Sequence, residues 1–219
     1  RLDYLVSLES KAFGFKDYAS KLFPQSWKAK YSPDMGDMNT TLIKTVKGRS
    51  IMVQHDVTSP RPYSRINLVS GTRGIIKDYP YQVALAEKPG DGAHSWAAQA
   101  KADEIKNRYM HPLWKEAGEF AKLVGGHGGM DFLMILRLCY CLQNGLPLDM
   151  DVYDLAAWCS ICELSEKSVR NRSQSQDIPD FTSGAWMSGR PVEITPVGLS
   201  SMGFKSDSEI KKDSTQLSV

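Results

Sequence analysis

The sequence lacks the features that would mark three common function classes. Basic and acidic side chains nearly cancel, at 27 against 25 in 219 residues, which argues against a surface dedicated to nucleic acid or an anionic membrane. No run approaches the roughly 18 apolar residues of a membrane span. No Ser/His/Asp or Cys/His order and no paired-carboxylate arrangement stands out. What remains is a chain that is 42% hydrophobic, enough for one sizeable core of a soluble domain.

Cysteine is scarce, and its placement argues against a metal site. The four cysteines fall in apolar stretches of helical character, whereas zinc ligands must converge on one point. We expect them to be reduced and buried as small hydrophobic side chains. They are Cys139, Cys141, Cys159 and Cys162.

The chain start also lacks what a complete protein often has. There is no Met, and no basic segment precedes a long apolar one as in a signal peptide. Residues 2–8 alternate apolar and polar side chains, as a strand does. We expect the chain to begin within a longer protein, and its compartment is left open.

The order of elements predicts an α+β fold. Runs rich in β-branched residues and separated by short turns predict a mainly antiparallel sheet, and helices follow from about residue 97. Segregation of this kind predicts an open sheet with helices packed on one face, spanning residues 1–186, and a disordered tail at 187–219. The predicted strands are 2–8, 40–46, 50–57, 65–69, 75–76 and 82–86, and the predicted helices are 16–23, 97–109, 112–124, 130–140 and 149–170.

Two of these helices carry specific expectations. The helix from Met130 is apolar almost all round, so we expect it to be buried. Asp149 is expected to cap the helix that follows. The inner side of that helix is predicted to hold Val152, Leu155, Ala156, Cys159, Cys162 and Val169.

The segment Thr58-Ser59-Pro60-Arg61-Pro62-Tyr63-Ser64-Arg65 is a candidate binding element. Two prolines fix φ on both sides of Arg61 and give Arg61, Tyr63 and Arg65 defined directions. A tyrosine offers a flat apolar face to a sugar and a hydroxyl for one hydrogen bond. The alternative is a rigid connection between strands with an ordinary surface tyrosine.

The run Gly125-Gly126-His127-Gly128-Gly129-Met130-Asp131 is a second candidate. Its glycines permit close backbone approach to a ligand, and His127 could act as an acid–base group or oriented donor. It follows a helix rather than a strand, so it is not a dinucleotide-binding fingerprint. The alternative is a tight corner between helices whose histidine caps a neighbouring end.

The remaining polar residues favour structural roles. Asp149, Asp151 and Asp154 suit the positive end of a helix better than a metal site, and we predict no metal. His55, His94 and His111 have no partner at a useful spacing.

Five segments in one order carry a resemblance. They are Gly36-Asp37-Met38-Asn39-Thr40-Thr41, the Thr58–Arg65 segment, Gly125–Asp131, Gly145–Tyr153 and Pro179-Asp180-Phe181-Thr182. Together they resemble glycoside hydrolase family 109, the α-N-acetylgalactosaminidases within the glucose–fructose oxidoreductase/inositol dehydrogenase superfamily, over residues 1–186.

The resemblance implies a C-terminal substrate-side domain whose N-terminal Rossmann domain, which holds NAD, is absent. It implies hydrolysis through oxidation at C3 of the sugar, elimination of the aglycone, addition of water and reduction, an exception to two-carboxylate hydrolysis. Catalytic residues are then expected upstream of this chain, and the chain alone is expected to be inactive. Family members are often exported.

By the same resemblance Tyr63 is similar to a family residue that binds the glycoside substrate, while Arg61, Arg65 and His127 are only candidates. One departure is Ser183-Gly184, where the family usually has Arg-Gly. Two alternatives stay open: a sugar dehydrogenase of the same superfamily, and a non-catalytic oligomerisation or carbohydrate-binding domain. The open sheet face is the expected contact for a homo-oligomer.

Overall fold

A computed structural model describes residues 1–56, 58–86, 88 and 94–189. The described residues fall into two compact units, one of residues 1–61 and 150–189 and one of residues 62–149. We call them the first and the second unit. Their regular elements, in chain order, are β1 (Leu2–Glu9), α1 (Gly14–Leu22), β2 (Met38–Thr45), β3 (Ser50–Asp56), β4 (Leu68–Gly71), β5 (Gly74–Lys77), β6 (Gln82–Leu85), α2 (Gln99–Arg108), α3 (Pro112–Val124), α4 (Met130–Asn144), α5 (Val152–Arg170) and β7 (Gln176–Asp177), with 3-10 turns at Trp27–Ala29, His127–Gly129 and Ala185–Ser188.

The first unit is a four-stranded antiparallel sheet in the order β3-β2-β1-β7, with α5 packed on one face. Because side chains alternate along a strand, Leu5 and its partner Ile43 face α5, and both are buried. Ile161 and Leu164 of α5 pack against this pair. The predicted strands over residues 2–8, 40–46 and 50–57 are confirmed to within two residues at each end.

A serine of α5 completes the hydrogen bonding of β1. Strand β7 pairs with β1 only at Tyr4 and Leu5. The N–H of Ser7, the next one on that edge of β1, therefore has no partner in a strand. The Ser168 hydroxyl, fully buried, accepts from the Ser7 N–H at 2.9 Å and donates to the Gln174 carbonyl at 2.8 Å. An unpaired buried N–H would be costly, so this bond helps to fix which side of α5 faces the sheet.

The expected inner side of α5 is therefore wrong over its first turns. Val152 and Leu155 are 67% and 56% exposed, and the packed side runs through Ile161, Leu164 and Ser168. The predicted residues and the packed residues both recur at helical spacing. Contacts with the sheet decide which of the two sides is buried.

The second unit holds a three-stranded antiparallel sheet, β4-β5-β6, and three helices. Val83 of β6 packs with Ala102 and Ile105 of α2. A separate cluster joins α3 to α4 through Ala117, Ala121, Leu133 and Leu136.

The predicted strand at 65–69 begins only at Leu68. Ile66 has φ +46°, a left-handed conformation that interrupts an extended chain and is rare for a β-branched residue.

Helix α4 contradicts the expectation of full burial. Its α3 side is buried, but the opposite side is exposed because α3 covers only one face. The exposed large hydrophobic residues are Met130, Met134, Ile135, Leu138 and Leu142. The cysteine prediction is also wrong in part: the thiols are free, but only Cys141 is buried and the other three are exposed.

The α+β class with antiparallel strands is confirmed, and the strands form two sheets rather than the one that was expected. Within the described ranges, no helix combines the length and hydropathy needed to cross a bilayer. Of the predicted tail, residues 190–219 lie outside the described residues, and Met187 and Ser188 belong to the last 3-10 turn.

Candidate functional site

The Thr58–Arg65 segment is anchored at its start by a buried carboxylate. Asp56 Oδ1 accepts from the N–H groups of Thr58 and Ser59 at 3.2 and 3.0 Å. Arg61 Nη2 lies 3.0 Å from the buried Oδ2, an ion-pair approach without hydrogen-bond geometry. The N–H of Ser59, more than the charge of Arg61, holds the pKa of Asp56 below its ordinary value. Arg61 is thus engaged in holding the segment.

A second carboxylate ties this segment to helix α1. Asp37 Oδ2 accepts from the N–H groups of Phe13 and Gly14 at 2.7 and 2.9 Å, and its Oδ1 accepts from the Thr58 hydroxyl at 2.9 Å. The two N–H groups, Gly14 first, lower the pKa of Asp37. The Gly36–Thr41 motif therefore contains Asp37, which caps α1 and also holds the start of the Thr58–Arg65 segment.

Tyr63 lies at the surface of the second unit and is 73% exposed. Its phenol oxygen accepts a hydrogen bond from Arg65 Nε at 2.8 Å. Its ring meets Tyr79 edge to face, with centroids 5.9 Å apart and planes at 77°. The bond to the phenol raises the pKa of Arg65 above its ordinary value, so Arg65 remains a cation. The side chain is neither packed inside nor left without neighbours, and its role as a substrate-binding residue stays a prediction.

Sequence reasoning missed Tyr79, which completes this aromatic pair. Tyr79 has φ +64° and its N–H bonds to Asp78 Oδ1 at 2.7 Å. Tyr79 lies 16 positions after Tyr63, and no spacing rule joins two loop residues at that distance. Only the fold of the β4–β5–β6 sheet brings the rings together.

The glycine run forms a corner between α3 and α4. Gly125, Gly126, Gly128 and Gly129 all have positive φ, which glycine adopts without strain. A Cβ on Gly129 would lie 2.7 Å from the carbonyl carbon of Ala121, so the backbone of α3 occupies that side. This geometry agrees with the tight helix corner that the sequence analysis left open.

His127 is exposed beside this corner. Its Nδ1 lies 2.8 Å from Oδ2 of Asp131, in the first turn of α4. The pair links the 3-10 turn to the helix start, as a capping histidine does. His127 remains a candidate site residue.

The three acidic residues near position 150 accept hydrogen bonds from backbone N–H groups and from one arginine. Asp151 and Asp154 form a reciprocal capping box at the start of α5, so Asp151 rather than Asp149 is the cap. Asp149 instead accepts hydrogen bonds from Arg137, whose side chain is 8% exposed. Among the described residues no group of three or more His, Cys, Asp or Glu side chains is placed to hold a metal ion.

The Pro179–Thr182 motif is a turn built around one carboxylate. Asp180 Oδ1 accepts from the N–H and hydroxyl of Thr182, and Oδ2 accepts from the Gly184 N–H and Trp186 Nε1. The Thr182 hydroxyl is the main cause of the lowered pKa of Asp180. Ser183 lies in this turn with φ +49°. The motif thus stabilises its own turn.

The first unit also contains a groove that sequence reasoning did not predict. It has a volume of about 590 Å³ and lies between α5 and the β2–β3 half of the sheet, where Thr41, Val53 and His55 form part of its floor. The hydroxyls of Ser7 and Thr41 both bond to Oδ1 of Asn39 at 3.0 and 2.9 Å. Asn39 and Thr41, which both line the groove, are thus hydrogen-bonded to each other. Asn39 and Thr41 lie two residues apart on β2 and therefore share this face of the sheet.

The sequence of this chain was compared with protein families and with curated proteins. The model described as "Glycosyl hydrolase 109, C-terminal domain" matches residues 1–188. A glycosyl hydrolase family 109 protein of Shewanella woodyi is 50% identical over 202 residues, covering 89% of this chain and 43% of the relative. A protein of Shewanella oneidensis named alpha-N-acetylgalactosaminidase is 49% identical over 197 residues, covering 89% of this chain and 42% of the relative. The chain thus spans less than half the length of these curated relatives.

Among solved structures, levoglucosan dehydrogenase in complex with NADH and levoglucosan has a similar fold. The TM-score is 0.50 at 16% identity, covering 82% of this chain and 45% of the dehydrogenase. At that identity the likeness concerns the fold alone.

Proposed function

We propose, from the premise that this chain belongs to glycosyl hydrolase family 109, that it is the substrate-side part of a longer NAD-dependent α-N-acetylgalactosaminidase. The name of the Shewanella oneidensis relative supports the substrate. The observation that carries the proposal within this chain is Tyr63, an exposed phenol held by a neighbouring arginine on a proline-braced segment.

Among the described residues of this chain, none forms a cradle for the dinucleotide cofactor. A dinucleotide cradle needs glycines between a strand and a helix, with backbone free to approach phosphate. The glycine run at 125–129 follows α3, and the side of Gly129 is filled by Ala121. We therefore assign NAD, and the residues of bond cleavage, to polypeptide outside this chain, and we expect the chain alone to be inactive.

Tyr63 can bind a sugar through two kinds of contact. Its ring offers an apolar face to the C–H side of a pyranose, and its hydroxyl offers one hydrogen bond. Both contacts bind and orient the sugar without taking part in bond cleavage. The proposed role is that of a substrate-binding residue.

The reaction class can be tested with the complete protein at the length of its relatives. Incubation with a chromogenic α-N-acetylgalactosaminide should release the aglycone with no net NADH. Stoichiometric accumulation of NADH without aglycone would reject the glycosidase and favour the dehydrogenase alternative. If neither aglycone nor NADH is formed, both the glycosidase and the dehydrogenase are rejected.

Replacing Tyr63 by phenylalanine in the complete protein should weaken sugar binding by roughly 1 kcal/mol, because one hydrogen bond is lost while the ring is kept. Steady-state kinetics should show KM raised about fivefold, with a smaller change in kcat. Tyr109→Phe is the matched control, since Tyr109 is 65% exposed in the same unit. An unchanged KM for the Tyr63 variant would remove Tyr63 from the site.

A second proposal concerns assembly, because an apolar row lies on the outer sheet face of the first unit. Val6, Leu42 and Met52 are register partners across β1, β2 and β3 on the face turned away from α5. Leu42 and Met52 are 50% and 64% exposed, and Leu8 beside them is 68% exposed. An apolar row has no directional bonds to satisfy and can pack on a copy of itself, so we assign this face to a second copy of the chain.

Leu42→Lys should therefore convert a dimer to a monomer, because each lysine would bring a charge into the apolar contact of the two copies. Size-exclusion chromatography with light scattering measures the change. Leu123→Lys is the matched control, since Leu123 is 75% exposed on α3. A wild-type chain that is monomeric at micromolar concentration, or a Leu42 variant that stays dimeric, would contradict the proposal.

A further inference from the structure

We propose that Arg65 is a positioning residue that orients the Tyr63 phenol as a hydrogen-bond donor toward the sugar; this inference rests on the proposed function. Arg65 Nε donates to the phenol oxygen at 2.8 Å. A guanidinium has donors only, so the phenol oxygen must be the acceptor in this bond. The phenol proton is thereby directed away from Arg65.

The direction of that proton restricts what Tyr63 can recognise. With its acceptor side occupied by Arg65, the phenol meets a ligand through its O–H. Its partner is then an accepting oxygen, either a sugar hydroxyl or the carbonyl of an acetamido group. Arg65 acts on the substrate through Tyr63 and is not itself required to touch it.

The backbone on both sides of the pair supports this reading. Ile66, directly after Arg65, has φ +46°, and its N–H bonds to the Ser64 hydroxyl at 3.1 Å. Tyr79, whose ring contacts Tyr63, has φ +64°. Such conformations are strained for side chains other than glycine, and strain of this kind clusters at binding and active sites. Two strained residues therefore flank one exposed hydrogen bond.

The other arginine of the segment has a different task. Arg61 pairs with the buried carboxylate of Asp56, which anchors the segment in the first unit. Arg65 has its hydrogen bond to Tyr63 in the second unit. The structure thus divides two candidates that the sequence could not tell apart.

A double-mutant cycle on the complete protein tests the proposal. Arg65→Met should raise KM for the chromogenic α-N-acetylgalactosaminide about threefold to fivefold, the size of one oriented hydrogen bond, with kcat changed less. On a Tyr63→Phe background the same change should have almost no further effect, because the phenol that Arg65 orients is gone. Arg65→Lys, which keeps a cationic donor, should restore part of the loss.

Arg73→Met is the matched control, an exposed arginine in the turn between β4 and β5 of the same unit, and it should leave KM unchanged. Independent, multiplying effects of the Arg65 and Tyr63 changes would overturn the positioning role. An unchanged KM in Arg65→Met would overturn it as well.

A measurement without turnover separates this inference from the glycosidase proposal. In this chain labelled with ¹³Cζ-tyrosine, the Tyr63 resonance, identified by its loss in Tyr63→Phe, should move in Arg65→Met and not in Arg73→Met. If the complete protein shows no hydrolysis but the resonance moves, the function fails and the oriented phenol stands. If the resonance does not move, the orientation itself is overturned.

Discussion

Replacing Gly36 by alanine is expected to destabilise the first unit by roughly 3 kcal/mol or more. A Cβ at this position would lie 1.8 Å from the carbonyl oxygen of Ser10 and 2.8 Å from its carbonyl carbon, and neither can turn aside as a side chain does. The two neighbouring segments are joined by backbone bonds, including Ser10 N to Met38 O at 2.9 Å and Asp37 N to Lys11 O at 3.4 Å. Relief of the clash must break these bonds.

Urea denaturation followed by hydrogen exchange measures this effect. The amides of β1 and β2 should lose protection, and the midpoint of unfolding should fall. Gly48→Ala is the matched control: Gly48 has φ +81° in the β2–β3 turn, and a Cβ there would have nothing within 4 Å. It should cost only about 1–2 kcal/mol, from the left-handed backbone alone. Equal losses in the two variants would show that the Ser10 contact is not a constraint.

Gly129→Ala is expected to separate α3 from α4 in the second unit. The new methyl group would lie 2.7 Å from the carbonyl carbon and 2.9 Å from the Cβ of Ala121, in a residue whose φ is already +98°. Ala121 is fully buried in the cluster that joins the two helices. We expect a loss of roughly 3 kcal/mol, the sum of left-handed strain and overpacking.

Gly128→Ala isolates the first of these contributions. Gly128 has φ +70° but no atom within 4 Å of a Cβ, so it should cost about 1–2 kcal/mol. The two variants are compared by urea denaturation and by amide exchange in α3 and α4. If Gly129→Ala leaves stability intact yet abolishes activity of the complete protein, the run binds a ligand and is not a helix corner.

The candidate site was predictable only in part. Local stiffness identified the Thr58–Arg65 segment, because two prolines restrict the backbone wherever they occur, and the family resemblance then singled out Tyr63 within it. The sequence could not rank Arg61 against Arg65, because each lies two residues from Tyr63. Their different partners, Asp56 and the phenol, depend on neighbours that the chain brings together in space. Tyr79 could not be found at all by spacing.

Helix boundaries were easier to predict than helix faces. His111-Pro112 marks the start of α3, where His111 Nδ1 accepts from the Leu113 N–H at 3.1 Å, because capping is decided within a few residues. The packed side of α5 depends on contacts that are distant along the chain, such as the bond from the Ser7 N–H to Ser168, 161 residues away. A stripe of apolar residues indicates that a helix can pack, but it does not indicate what covers it.

Sequence alone determined the class of this protein: antiparallel strands followed by helices, and membership in a glycosidase family, since both are written in local alternation, turn chemistry and short motifs. Tertiary structure alone decided which carboxylate holds which arginine, which face of α5 is buried, and that Arg65 bonds to the Tyr63 phenol. The reason is physical. Propensities and caps act over a few bonds, whereas the direction of a hydrogen bond and the burial of a face depend on atoms that are distant along the chain.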